Sequence, residues 1–245
     1  MRIRFAAILL LVPVLAACAL AREVYDDYVA YIYEEAEEMI EEMTDIPQEE
    51  PQEPPQPIFT GEPLPDHIID FISGVSFGED TPFDHSFLTY LTISHVGFDG
   101  ESHVGHMIVA AEIGDEVLDI FRDIYEAHFP IYQMRLIDYF NADDALSLEA
   151  NNSSAFNFRY IAGTTIISRH GFGLAIDINP IQNPYIRGDN IKPAAGAAYL
   201  DRDDIRPGMI IKGDPVYTAF ISRGWIWGGD WTVPRDYHHF ERALR

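Results

Sequence analysis

The stretch Ser168-Arg-His-Gly-Phe-Gly-Leu-Ala-Ile-Asp-Ile-Asn179 sets an imidazole, His170, and a carboxylate, Asp177, on either side of two glycines. Both groups are ligands for an ion of borderline hardness such as zinc. A tight turn at Gly171 and Gly173 can fold His170 back beside Asp177. Taken alone, a histidine and an aspartate at this spacing are also an ordinary surface pair. The second concentration of chemistry lies near the C-terminus, in Trp225-Ile-Trp-Gly-Gly-Asp-Trp231 and Asp236-Tyr-His-His-Phe-Glu241. His239 could complete a three-ligand set whose fourth position stays open, as catalytic zinc requires. Asp236, three residues earlier, is a candidate general base. His238 is expected to point elsewhere on an extended chain, with a supporting role at most. Core packing accounts for at least two of Trp225, Trp227 and Trp231. The single cysteine, Cys18, excludes an intrachain disulfide and a cysteine-based zinc cluster, so histidine and carboxylate must hold any metal.

These groups need elements to carry them. Leu174–Asn179 alternates, with Leu174, Ile176 and Ile178 on one side and Ala175, Asp177 and Asn179 on the other, which predicts a strand offering Asp177 to a cleft. Apolar residues from Ile108 to His128 follow a helical stripe that Pro130 ends, and Ile131–Phe140 then reads as a strand. His67, His85, His95, His103 and His106 show no ligand spacing and read as structural or exposed. Tyr132, Arg135, Asp143 and Asp144 are candidates for a cleft wall without a motif of their own.

Charge and patterning bound the rest. Lys+Arg 16 against Asp+Glu 40 gives a net charge of -24, the wrong sign for a chain that neutralises phosphates, so nucleic acid is excluded as a partner. Met1–Ala17 has two arginines and an apolar run too short to span a bilayer, which takes ~20 residues, but suited to a secretory signal. Leu15-Ala16-Ala17-Cys18 resembles a bacterial lipobox, in which the cysteine is lipidated. The resemblance implies an exported protein tethered to a membrane through Cys18. Residues 18–60 carry thirteen acids against Arg22 alone. Within them Glu23–Thr44 has helical spacing, a face for self-association or a partner if it is not simply a solvated spacer. The proline-rich run from Pro47 to Pro57 is expected to be an extended linker. The expected organisation is therefore a signal at 1–17, an acidic stalk at 18–60 and a globular domain at 61–245.

Ser168, His170, Gly173, Ala175 and Asp177 together resemble the signature of the LAS-type zinc peptidases, with Asp236 and His239 matching the closing acid-x-x-His motif. That group contains VanY-like D-alanyl-D-alanine carboxypeptidases and L-alanyl-D-glutamate peptidases. The resemblance implies an α+β fold, helices packed on a small antiparallel sheet, with zinc in a cleft on the sheet. It also implies Zn2+ held by His170, Asp177 and His239, with Asp236 as base. Arg159, in Asn151–Arg159, matches the arginine that contacts the substrate carbonyl, and Ser168 would orient a ligand or the substrate. The implied substrate is a peptidoglycan stem peptide, cut either at a terminal D-alanine or between L-Ala and D-Glu. Asp at position 236 leans toward the second reaction. A catalytically silent wall-binding lipoprotein on the same scaffold is the alternative. The acidic body shows no obvious basic patch for an anionic stem peptide.

Overall fold

The computed structural model describes residues 22, 26–39 and 56–243. The chain divides into two units, Met1–Pro55 and Gln56–Arg245. In the first, residues 26–39 are helical, within the expected Glu23–Thr44 helix; Cys18, the signal-like segment and residues 40–55 of the stalk lie outside the described residues, while its last residues, 56–60, belong to the second unit.

The second unit is α+β, with several small sheets and short helices. Its largest sheet has the order β1 (Phe59–Pro63), β2 (Leu88–Val96), β3 (Ser102–Ala110), all antiparallel. Helix α1 (Asp66–Ile72) sits between β1 and β2 in the chain. The two faces of the β2–β3 hairpin feed two cores. Leu91, Ile93, Met107 and Val109 join the main core, while Leu88 and Ile108 pack with Leu64, Ile68, Ile72, Leu136 and Phe156. Helix α2 (Gly114–Glu126) buries Val117, Leu118, Ile120, Phe121 and Ile124 in the main core. Each such side chain contributes about 1.5–3 kcal/mol against an exposed position.

Two sequence expectations need correction. The helical stripe was read from Ile108, but Ile108–Ala110 is the end of β3, paired with Leu88–Tyr90, and the helix begins at Gly114. A short apolar run fits either period, and the partner strand decides. Ile131–Phe140 is not one strand. Only Gln133–Met134 (β4) pairs, in parallel with β5 (Asn152–Ser153), and Ile137–Phe140 is a 3-10 turn. Leu136, Ile137 and Asp138 are buried in succession, which breaks the alternation of a half-exposed strand. Asp138 accepts the Ser76 N–H in that interior. Helix α3 (Asp144–Glu149) lies between β4 and β5, capped by the Asp143 side chain on the N–H groups of Ala145 and Leu146.

Three further strands form the platform of the site. β6 (Ala175–Asp177) pairs antiparallel with β11 (His239–Glu241), whose other edge carries β9 (Ile226–Trp227). Helix α4 (Pro215–Ile221) packs beside this sheet through Phe220, stacked on Phe240 at 4.1 Å. A separate sheet has the order β10 (Arg235–Asp236), β7 (Tyr185–Arg187), β8 (Asn190–Lys192). Both faces of the β6 segment are buried: Asn179 bonds through its amide to the Pro130 carbonyl and accepts from the Tyr132 N–H, so it braces the core rather than facing a cleft. Trp225 and Trp227 pack in the main core as expected.

Candidate metal centre

His239 and Asp177 lie directly opposite each other in the β6–β11 pair. Directly opposed residues of antiparallel strands point to the same face, so a separation of 62 residues in sequence becomes a cross-strand contact. Phe240, the next residue, points the other way, opposite Ile176 and Trp227 in the core. His170 comes from the 3-10 turn Arg169–Phe172 that leads into β6. Gly173 closes that turn at φ 63, where any added Cβ would strike the backbone N of Ala110 at 2.6 Å. A larger residue there would push the His170 turn off the end of β3.

Two ring nitrogens and both Asp177 oxygens converge, and one donor atom from each residue lies within 4.8 Å of the others. His170 Nε2 is 3.2 Å from His239 Nδ1, His239 Nδ1 is 3.0 Å from Asp177 Oδ1, and His170 Nε2 is 3.3 Å from Asp177 Oδ2. Donors on a tetrahedral ion with bonds of about 2.0–2.1 Å stand about 3.3–3.4 Å apart. Among the described residues, this is the one His/Cys/Asp/Glu group that could hold a metal ion, and all three members are buried.

Each histidine is anchored by its other nitrogen. His170 Nδ1 lies 2.6 Å from the Ala155 carbonyl, which can only accept, so Nδ1 carries the proton and Nε2 keeps a lone pair for the centre. His239 Nε2 lies 3.3 Å from Glu241 Oε2, which in the same way leaves Nδ1 free toward the centre. Two ring lone pairs facing each other beside a carboxylate are a stable arrangement only around a positive charge. The titration follows this logic. Burial alone would raise Asp177, but His170, His238 and His239 prevail and hold its carboxyl well below the usual carboxylate range. Burial opposes a charge on His239, yet its hydrogen bonds to Asp177 and Glu241 prevail and push its pKa up to about 10. A proton thus takes up the role of the cation.

Asp236 stands beside this group, on β10. Its Oδ1 is 2.9 Å from His238 Nε2, an ion pair whose angle falls short of a hydrogen bond. His238 Nδ1 donates to the Asn183 carbonyl at 2.7 Å, which fixes the ring. Burial opposes its charge as well, but Asp236 and Asp177 prevail and push His238 up to about 9. His238 is thereby a neighbour of Asp236 and Asp177 and lies outside the candidate metal group. Gly228 makes room for Asp236, since a Cβ there would meet the Asp236 carbonyl at 2.6 Å.

These groups open into one cavity of about 950 Å³. Arg159 lines it, gripped by Asp144: Nη2 donates to both carboxylate oxygens at 3.0 and 2.9 Å, and Nε donates at 3.3 Å. Nη1 makes no hydrogen bond among the described residues. Ser168 also lines the cavity, and its backbone N–H donates to the Arg159 carbonyl, tying the arginine to the ligand turn. The structure therefore brings Ser168, His170, Asp177, Asp236, His238, His239 and Arg159 around one space, while Cys18 lies outside the described residues. Of the four wall candidates, only Asp144 faces this cavity. Tyr132 and Arg135 line a different one, and Asp143 caps α3. Trp231, with its ring 5.4 Å from His239, is a cavity residue that the core-packing expectation did not single out.

Residues 162–242 match a family model described as D-alanyl-D-alanine carboxypeptidase. The match supports the likeness to the LAS-type peptidases. It takes in all three candidate ligands, Asp236 and His238, and it leaves out Arg159 and Asp144. No curated protein and no solved structure matches the chain.

Sequence reading named Asp144 and Glu241 but missed their partners. The contact of Glu241 with His239 had a signal, an acid two residues beyond the histidine and so on the same face of a strand. The contact of Asp144 with Arg159 had none, because it exists only through the fold. The expectation of no basic patch also fails at this site: Arg159, Arg169, Arg187 and Lys192 all line the cavity. They come from separate elements, and an overall excess of acid conceals such a local convergence.

Proposed function

We propose that this protein is a zinc-dependent peptidase that hydrolyses peptidoglycan stem peptides at the cell envelope. The observation that carries the reading is the buried His170–Asp177–His239 group, whose donor atoms converge within 4.8 Å, with Asp236 and Arg159 on the same cavity. Lewis acidity toward the scissile carbonyl and the attacking water is what bound zinc supplies. Asp236 accepts the proton of the water as its oxygen bonds to the carbonyl carbon, and returns that proton to the nitrogen as the C–N bond breaks. His238 orients Asp236. Arg159, held by Asp144, turns its unbonded Nη1 to the oxygen that gains charge, a contact worth about 3–4 kcal/mol in comparable sites. Ser168 positions the turn that carries His170.

The family description favours removal of a terminal D-alanine, whereas Asp at 236 favours cleavage between L-Ala and D-Glu. A digest of purified muropeptides by the full-length protein, with and without a chelator and read by mass spectrometry, separates them. Loss of one terminal alanine, abolished by chelation and restored by zinc, identifies the carboxypeptidase. Release of L-Ala from the rest of the stem identifies the endopeptidase. A zinc-loaded protein that cleaves nothing is the silent wall-binding lipoprotein. The N-terminal pattern supports export and a lipid anchor on Cys18, with the acidic stalk as spacer. Cys18→Ser is expected to move the protein from the membrane to the soluble fraction, and retention on the membrane would defeat the anchor.

A further inference from the structure

The β7–β8 hairpin forms one wall of the cavity, and its pleat sorts its residues. Asp236 lies opposite Tyr185, and Tyr185 lies opposite Lys192, so the three form a row across β10, β7 and β8 on one face. Arg187 and its partner Asn190 share that face, two residues along. All five line the cavity, while the alternating residues Ile186, Ile191 and Arg235 do not. Gly188, at φ 59, turns the two-residue loop between the strands. With strands about 4.8 Å apart, the Cα of Lys192 stands about 10 Å from that of the base, within reach of a long side chain leaning over Tyr185.

The charges around the cavity are unevenly engaged. Asp144 is taken by Arg159, Asp177 and Glu241 by the histidine ligands, and Asp236 by His238. Among the described residues, the side chains of Arg187 and Lys192 make neither an ion pair nor a hydrogen bond, although both are exposed in a chain of net charge -24. Two unclaimed cations beside the base, in a cavity whose carboxylates are all committed, are a receptor for an anion.

We propose that Arg187 and Lys192 bind a free carboxylate on the carbon next to the leaving nitrogen of the substrate. The inference rests on the peptidase reading and specifies its substrate. A carboxylate on that carbon puts its oxygens about 3 Å from the nitrogen that Asp236 must protonate, on the sheet face that the base shares with Arg187 and Lys192. Both candidate bonds carry such a group. The leaving D-alanine of a D-Ala–D-Ala terminus has its own carboxylate. A D-glutamate joined onward through its γ-carboxyl leaves its α-carboxylate free on the carbon that bears the leaving nitrogen. One cationic wall therefore serves either cut, and what distinguishes the two must lie elsewhere in the cavity.

The test uses the full-length, zinc-loaded protein and matched peptides: a stem pentapeptide ending in D-Ala–D-Ala as free acid and as C-terminal amide, and a stem peptide with the D-glutamate α-carboxyl free and amidated. On the bond that the protein cleaves, amidation is expected to raise KM about tenfold with a smaller change in kcat. Lys192→Met with Arg187→Met should erase this preference for the acid, and Lys192→Arg with Arg187→Lys should restore most of it. Equal KM for acid and amide in the unaltered protein overturns the proposal. So does a double variant that slows both peptides in the same proportion, the mark of a structural role. If no peptide is cleaved, the peptidase reading fails by itself, and calorimetric binding of the same acid and amide pairs decides the carboxylate site. Preference for the acid that vanishes in the double variant supports it; equal binding, or none, overturns it.

Discussion

Two cavities in this domain are each lined by three histidines, and they differ in what surrounds the rings. In one, His95 and His103 face each other across β2 and β3 with ring centroids 5.6 Å apart, and the pleat sends His106 to the opposite face, where it stacks on Tyr90 at 5.2 Å. Asp99, in the hairpin turn, bonds to His103 and to the Glu101 N–H, and to neither His95 nor His106. His95 Nδ1 is buried with no partner. Burial lowers the pKa of both His95 and His106, so these rings hold no extra positive charge. In the other cavity, His170, His238 and His239 are all buried, whereas of the first set only His95 is, and Asp177 stands between them with Asp236 beside them. There the carboxylates outweigh burial at His238 and His239, which gather positive charge. Three histidines in one cavity do not make a candidate metal group; ring nitrogens that converge on a buried carboxylate do.

The strongest way to break this contrast is to delete ligands on one side and rings on the other. His170→Ala and His239→Ala should each abolish bound zinc and activity, whereas His95→Ala and His103→Ala should keep the full zinc stoichiometry by atomic absorption. Zinc lost equally from both sets would mean that the two cavities are not distinct. Asp236→Ala should keep zinc and lower kcat by about 10²–10⁴-fold. A near-normal rate would transfer the role of base to another carboxylate, Glu241 first. Glu241→Ala, which frees the second nitrogen of His239, should weaken zinc about 10–100-fold in a competition with a fluorescent chelator. Unchanged affinity would show that the ring is held by packing alone.

The smallest effect sharpens the comparison through pH. His95 has a folded pKa below the ordinary 6.5, so the unfolded chain binds more protons as pH falls past that value. Its contribution to stability is therefore present above pH 6.5 and is lost as pH falls through the lowered folded value. The raised histidines of the metal-free site have the opposite sign. Their contribution is full below 6.5 and is lost as pH rises through about 9 for His238 and about 10 for His239. In chelator, urea midpoints for His95→Leu should fall less steeply on acidification than those of the unaltered protein, by at most about 1.4 kcal/mol per pH unit. An acid limb of unchanged slope would remove His95 from this account.

How much was legible depended on whether the information was local. The Gly171–Gly173 turn, the strand around Asp177 and the tryptophans of the core could be read because each depends on a few adjacent residues. The helix boundary at Gly114 could not, since Ile108–Ala110 fits either period until β2 is there to pair with it. The strand expected over Ile131–Phe140 failed for a similar reason: burial on all sides at Leu136–Asp138 comes from the surrounding core, not from the segment's own pattern.

The sequence by itself determined which groups are available: one histidine and one aspartate around a glycine turn, an acid and a histidine three apart near the end, one cysteine behind an apolar segment, and a large excess of acids over bases. Residue type and short spacing are enough for that, because donor chemistry belongs to the side chain. Only the tertiary structure decided which of nine histidines act together. The β6–β11 register sets His239 opposite Asp177, the β10–β7–β8 row aligns Lys192 with Asp236, and Asp144 grips Arg159 across a turn. Each is a contact between distant segments, fixed by strand pairing and core packing rather than by neighbours in the chain.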